Sequence, residues 1–144
     1  MMVHDDTPAL TEIELTVPWI PPSVNHYKVP ITKRLKGGGR VRSYHLTPEA
    51  RAFRDMLALQ ARGRTIAPYG ERARELVRYA LYVKVCLGAG QRGDGDNFWK
   101  VIADSLQRAG VIHSDARVRV WHLEVEDGER KNPRTEIRAM VLPS

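Results

Sequence analysis

The alternation of apolar and polar residues along the chain predicts four β-strands. Apolar side chains alternate with polar ones in residues 11–17 and 79–87, which is the spacing of a strand with one buried face. Residues 118–126 alternate as well, but the apolar phase slips near residues 120–121, so we expect a β-bulge there. A last strand is predicted for residues 135–142, after turn residues that close the strand before it.

Apolar residues with helical spacing predict two main helices. The first begins with Thr47 as its N-cap and Pro48 at its first position, and it ends near residue 62. The second covers residues 96–109, and a short helical turn is expected at residues 71–76. These elements together predict an α+β fold, a small single domain with a mixed sheet of about four strands and two main helices.

Length and composition fit one globular domain. The chain has 144 residues, of which 42% are hydrophobic, and we expect one domain over residues 1–144 with residues 1–10 as a disordered tail. Cys86 is the only cysteine, which excludes a disulfide framework and a cysteine-based zinc site and fits a reducing cytoplasm. The N-terminus has no apolar stretch, and lysine or arginine interrupts the longest apolar runs. We therefore expect a soluble, cytoplasmic protein with no membrane span.

Positive charge is concentrated in one segment, residues 28–42. The formal net charge is +6, which favours a polyanionic partner but is weak evidence alone. The segment has no acidic residue, and three consecutive glycines lie in its middle. We interpret it as a flexible loop that grips phosphate groups, although a solvated loop without a partner stays open. Its basic residues are Lys28, Lys33, Arg34, Lys36, Arg40 and Arg42.

Three aspartates form a candidate metal site. Asp94 and Asp96 lie two residues apart where a loop enters a helix, so their carboxylates can point into one pocket. Lys100 follows Asp96 by four residues and is expected on the same side of the helix. Asp115 follows the helix, and we expect the returning chain to bring it towards Asp94. Oxygen ligands of this kind suit magnesium or manganese.

Spacing alone leaves other readings of these residues open. Paired aspartates are common in solvated loops, and Asp96 can simply cap the helix. A calcium loop of the EF-hand type is excluded, because Trp99 stands where its glycine is required. A nucleophilic hydrolase has less support, because Cys86 lies inside a predicted strand and His113 has only the adjacent Ser114 as a serine neighbour.

Two stretches of the sequence carry a resemblance to a known family. They read Pro21-Pro22-Ser23-Val24-Asn25-His26-Tyr27 and Asp94-x-Asp96-Asn97-x-x-Lys100-x-x-x-Asp104-x-Leu106, followed by Gly110-Val111, Asp115 and Val118. Through this ordered set, within residues 15–141, the chain resembles the RusA family of Holliday junction resolvases of bacteria and their prophages. The match departs from the family at Ser114, where the family often has a first acidic residue before the one at Asp115.

The resemblance implies a reaction and a partner. Asp94, Asp96 and Asp115 match the family's metal-binding catalytic carboxylates, and Lys100 matches its catalytic lysine. Family members are homodimers that nick four-way DNA junctions symmetrically with Mg²⁺, for which Mn²⁺ can substitute. Asn25, in the first stretch, is expected to contact DNA together with the basic residues of 28–42, although that basic segment is peculiar to this chain.

The hypothesis from sequence is therefore a magnesium-dependent endodeoxyribonuclease of DNA recombination and repair. Two other classes stay open from the residues alone. A non-catalytic nucleic-acid-binding module would explain the basic segment but not the aspartates. A metal-dependent phosphohydrolase of a small substrate would explain the aspartates but not the basic segment.

Overall fold

The computed structural model describes residues 10–22, 28–67, 77–91, 95–130 and 132–143. Most of the predicted tail, Asn25, the predicted turn at 71–76 and Asp94 lie outside them. The elements are β1 (Glu12–Val17), β2 (Lys28–Arg34), β3 (Arg40–Leu46), α1 (Pro48–Ala61), β4 (Tyr79–Gly88), α2 (Gly95–Arg108), β5 (Val118–Arg130) and β6 (Arg134–Val141), with a short 3₁₀ helix, Asp115–Arg117, before β5.

The main sheet has four strands in the order β1-β6-β4-β5. Strand β6 pairs antiparallel with both β1 and β4, whereas β5 pairs parallel to β4. Helix α2 connects the two parallel strands, as a parallel pair requires a crossover. The α+β class, the mixed sheet and the two helices are confirmed.

One face of the sheet is covered by α1 and α2. Strand β1 alternates between exposed and buried residues, and its apolar side chains join the core with Phe53 and Leu57 of α1 and Phe98 and Ile102 of α2. The other face carries mainly charged side chains, including Glu14, Lys84, Glu124, Glu136 and Arg138. The sheet therefore has one helix-covered face and one polar face.

Helix α1 begins and ends as its sequence predicts. The Thr47 hydroxyl accepts a hydrogen bond from the backbone N–H of Ala50 at 3.2 Å, and Pro48 occupies the first turn. Arg62 takes a left-handed conformation with φ of 53° and closes the helix by donating its N–H to the Ala58 carbonyl.

The prediction of a basic loop over residues 28–42 was wrong. Strands β2 and β3 pair antiparallel, with Lys28 opposite Leu46 and Arg34 opposite Arg40. The glycines form the turn between them, where Gly37 and Gly38 have φ values of +105° and +96°, which glycine adopts without strain. The segment is therefore a β-hairpin with a glycine turn.

Strand β5 has the predicted irregularity but ends later than predicted. Tyr79 pairs with Val118 and Ala80 pairs with Val120, so Arg119 is an extra residue at the bulge. The sequence placed the end of this strand before Asp127, but pairing resumes between Gly88 and Arg130 after a second irregularity. In the described part of the chain, no helix is long and apolar enough to span a membrane.

Candidate functional site

Helix α2 positions Lys100. Phe98, Val101, Ile102 and Leu106 are buried and hold one side of the helix against the sheet, whereas the Lys100 side chain is exposed. The backbone of Asp96 lies in the first turn of α2, so Lys100 follows one turn later on the same side, as predicted. The side chain of Asp96 lies outside the described residues, as does all of Asp94.

Asp115 opens the 3₁₀ helix after α2, and its side chain is exposed. Its backbone N–H donates to the Gln107 side-chain oxygen at 2.8 Å. The neighbouring Ser114 hydroxyl accepts from the N–H of Ala116 at 3.2 Å and caps the 3₁₀ helix. Ser114 therefore has a structural role at the position where the sequence departs from the family pattern.

Two contacts that the sequence did not reveal fix the chain before Asp115. One is the Gln107 side-chain oxygen, which accepts a hydrogen bond from the Asp115 N–H. The other is the Tyr79 hydroxyl, which accepts a hydrogen bond from the His113 N–H at 3.0 Å. Tyr79 is otherwise buried at the start of β4. Both partners are far from this segment in sequence or belong to another element, so no spacing rule could have found them.

The expected return of Asp115 towards Asp94 stays a prediction, because Asp94 lies outside the described residues, but Asp115 and the start of α2 lie far apart within one chain. Gly95, the residue after Asp94, begins α2, whereas Asp115 contacts Gln107 near the other end of the helix. Eleven residues separate Asp96 from Gln107, which is roughly 16 Å along a helix axis. The strands agree, because Asp115 precedes Val118, which pairs with Tyr79 at the start of β4, whereas residues 89–94 follow the end of β4.

The surface beside Lys100 carries an aromatic stack. Trp99 on α2 stacks on Trp121 of β5 with ring centroids 4.5 Å apart and planes inclined by 27°. Trp121 remains 50% exposed. One turn beyond Lys100, the Asp104 carboxylate pairs with Arg108 at 3.0 Å, so it is engaged within the helix.

The two stretches that carry the family resemblance meet in space. Pro21 and Pro22 from the first stretch and Phe98 from the second line one cavity of about 700 Å³. Trp19 and Phe53 add aromatic surface to the same cavity. The two stretches are therefore adjacent in the fold, although they are far apart in the sequence.

Charge is distributed unequally over the surface. On the hairpin, the side chains of Arg34, Lys36 and Arg40 are exposed, whereas those of Lys28, Lys33 and Arg42 lie outside the described residues. The polar face of the main sheet is acidic, and its cations are paired. Lys84 lies 3.1 Å from Glu126, and the hydrogen bond to that carboxylate raises the Lys84 pKa. Arg138 pairs with Glu12, and Arg134 lies 3.5 Å from Glu136.

Among the described side chains, no group of three or more His, Cys, Asp or Glu residues is placed to hold a metal ion. The predicted ligands stay a prediction, because only Asp115 of the three has a described side chain. All three are carboxylates, and the Asp115 side chain is exposed. The donor chemistry therefore fits a hard divalent cation.

Comparison with protein families matches residues 18–140 to the family described as Endodeoxyribonuclease RusA. The matched range covers most of the chain, including both helices, β4, β5 and almost all of β6, and every predicted catalytic residue, whereas β1 lies before it. No curated protein matches the chain.

Proposed function

The chain belongs to the RusA endodeoxyribonuclease family, the family of Holliday junction resolvases, and from this premise we propose that it nicks four-way DNA junctions symmetrically as a metal-dependent homodimer. The observation that carries the proposal is the family match over residues 18–140. The exposed Lys100, one helical turn after Asp96, supports it, because the family motif then presents a cation beside its acidic residues.

We assign the metal to Asp94, Asp96 and Asp115. Bound there, Mg²⁺ or Mn²⁺ would supply Lewis-acid polarisation of the scissile phosphate and acidify a water nucleophile. Carboxylates crowded around one phosphate repel it and one another, so these side chains need a cation to stay ionised.

Lys100 is assigned to charge stabilisation at the scissile phosphate. Its ammonium group is exposed, and the paired Asp104–Arg108 neighbours leave the local charge of this helix face close to balance. A cation placed at a developing negative charge contributes more to the transition state than to binding, because charge increases there during the reaction.

A homodimer can bring the three aspartates into one active site. Within one chain, Asp115 lies far from the end of α2 that follows Asp94. Metal ligands, however, must lie within about 2–2.6 Å of the ion. A two-fold dimer can place the Asp115 end of one subunit beside the Asp94–Asp96 end of the other. We therefore propose that each active site combines Asp94 and Asp96 from one subunit with the partner's Asp115.

Charge supports one orientation for DNA. The acidic face of the main sheet repels phosphate, whereas Lys100 and the exposed cations of the hairpin attract it. We propose that the junction contacts α2 and the hairpin and avoids the acidic face of the main sheet. A cytoplasmic location belongs to the same proposal, because junction DNA is found there in bacteria.

A junction-cleavage assay tests this function. The purified protein, a synthetic four-way junction and a linear duplex of the same sequence are incubated with Mg²⁺ or with EDTA. We expect paired nicks in the junction with Mg²⁺ only. Asp96→Asn should abolish the nicks while binding persists, because the variant loses a metal ligand and also some repulsion of phosphate.

The matched control is Asp55→Asn, which removes an exposed acid from α1. It should cleave like the wild type. Cleavage by Asp96→Asn at the wild-type rate would contradict the site assignment, and cleavage of the linear duplex alone would contradict the substrate.

A further inference from the structure

Strand β5 is an edge strand with an unusual apolar surface. It ends the sheet order, and within the described residues it pairs only with β4. Val120 and Trp121 are 42% and 50% exposed on this strand. A long edge strand exposes a row of backbone donors and acceptors, and natural proteins usually protect such an edge. This edge therefore has the properties of a pairing surface.

The regular part of β5 is centred on Leu123. Pairing with β4 is uninterrupted from Val120 to Glu126, and an irregularity lies at each end of that stretch. If a second copy pairs antiparallel along this edge, two residues that face each other both point their backbone N–H and C=O groups towards the other strand, or both point them away. The two-fold axis therefore passes through a residue that faces its own copy, and not between two residues. The middle residue of the regular stretch is Leu123.

The side chains of β5 favour a two-fold axis at Leu123 over an axis at either neighbouring residue. With Leu123 facing its own copy, Trp121 faces Val125 on the helix-covered side, and His122 faces Glu124 on the polar side. Moving the centre by one residue would place either Glu124 opposite its own copy, where like charges are destabilising, or His122 opposite its own copy, where it no longer faces Glu124. Charge and apolar complementarity therefore select one register.

We infer that two copies of this chain pair antiparallel through β5, centred on Leu123, to form one continuous sheet. The inference rests on the proposed homodimer and names its surface. In this register Val118 of the partner subunit faces residue 128, close to where Arg130 pairs with Gly88 at the end of β4. The partner's Asp115, three residues before its Val118, then lies at the sheet end from which the chain continues to Asp94.

A self-facing residue allows a direct test in the full-length protein. Leu123→Lys and Leu123→Glu each place two like charges at the centre of the interface, so each variant should sediment as a monomer at concentrations where the wild type is a dimer. Mixed together, the two variants should recover the dimer, because each heterodimer pairs Lys with Glu. Circular dichroism verifies that both variants are folded.

The matched controls are Thr16→Lys and Thr16→Glu, on the opposite edge strand β1, and both should remain dimers. A wild type that is monomeric, a Leu123→Lys dimer, or folded variants that stay monomeric when mixed would each overturn the interface. A dimeric nuclease that neither Leu123 substitution dissociates contradicts this interface alone, whereas a β5-paired dimer without cleavage contradicts the proposed function alone.

Leu123 is partly buried against the core, so its charged variants can fail to fold, and a second test uses exposed positions. His122→Cys and Glu124→Cys proteins are mixed under mild oxidation. A disulfide dimer should form in the mixture and in neither protein alone. The native Cys86 is buried, and burial raises the pKa of its thiol, so the wild type should not cross-link. A mixture without the disulfide would overturn the register.

Discussion

Lys100 is a proposed catalytic residue whose side-chain surroundings the structure describes. It is exposed on α2, next to Trp99, whose ring is held against Trp121. The helix at this point is anchored by buried Phe98 and Val101. A lysine on an anchored helix loses less orientation freedom when a phosphate arrives than one on a loop does, which suits a catalytic role.

Replacing Lys100 by alanine should lower the single-turnover cleavage rate far more than junction affinity. One cation among many contributes little to binding, but removing a group that stabilises developing charge typically costs about 10²–10³ in rate. Rates at saturating enzyme and dissociation constants from gel shifts separate the two effects.

Arg108→Ala is the matched control, because it removes a partly exposed cation from the same helix without touching the proposed site. It should change neither quantity by more than a small factor. A Lys100→Ala variant that loses affinity but keeps its single-turnover rate would show that this lysine is only a DNA contact.

Residue-level chemistry was predictable only in part. The helical phase of Asp96 and Lys100 follows from spacing, and the structure has both on the first turns of α2 as expected. The hydrogen bonds that Gln107 and Tyr79 accept from the N–H groups of Asp115 and His113 connect different elements. Such contacts depend on tertiary packing, which the local spacing of residues in the sequence does not predict.

At the scale of elements, the hairpin β2–β3 carries the concentrated positive charge. Its turn is closed by a 2.7 Å hydrogen bond from the Leu35 N–H to the Gly39 carbonyl. Arg34, Lys36 and Arg40 surround this turn and are exposed. A paired hairpin presents these cations on a defined scaffold, so their contacts with phosphate cost less conformational entropy than those of a free loop.

Replacing Arg34, Lys36 and Arg40 together by glutamine should weaken junction binding and flatten its salt dependence. Each lost phosphate contact lowers the slope of log affinity against log salt by about 0.9 on duplex DNA. Binding titrations at several salt concentrations measure this slope, and cleavage at saturating enzyme should change little.

The control removes the same charge elsewhere, by glutamine at Arg51 and Arg54 on α1 and at Arg62, its C-cap. If both triple variants shift the slope equally, the effect belongs to net charge and the hairpin has no special contact with DNA.

The elements themselves were largely predictable, with two instructive errors. Strand β1 and helix α1 were found because their apolar spacing and caps are local signals. The hairpin was taken for a loop because three glycines and many cations suggested flexibility, whereas the glycines form only its turn. Strand β5 was ended too early, because Asp127 and Gly128 are typical turn residues but here lie within a paired strand.

At the scale of the whole molecule, the parallel connection β4–α2–β5 determines what one chain can assemble. A crossover helix returns the chain to the end of the sheet at which the first strand began. Asp115 therefore lies near the start of β4, whereas Asp94 follows its end. The sequence predicted three carboxylate ligands, but it could not reveal that Asp115 lies at the opposite end of the β4–β5 pair from the end of β4, because this placement follows from strand direction.

The most direct test of a shared active site mixes two inactive proteins. Asp96→Asn and Asp115→Asn should each fail to cleave the junction with Mg²⁺. If sites are shared, a heterodimer of the two variants has one intact site and one doubly altered site, so random pairing restores about a quarter of the active sites. We predict that the mixture nicks one strand of each junction, measured on end-labelled strands by denaturing electrophoresis. A mixture as inactive as either variant, despite subunit exchange, would contradict the shared site and place all three carboxylates within one chain.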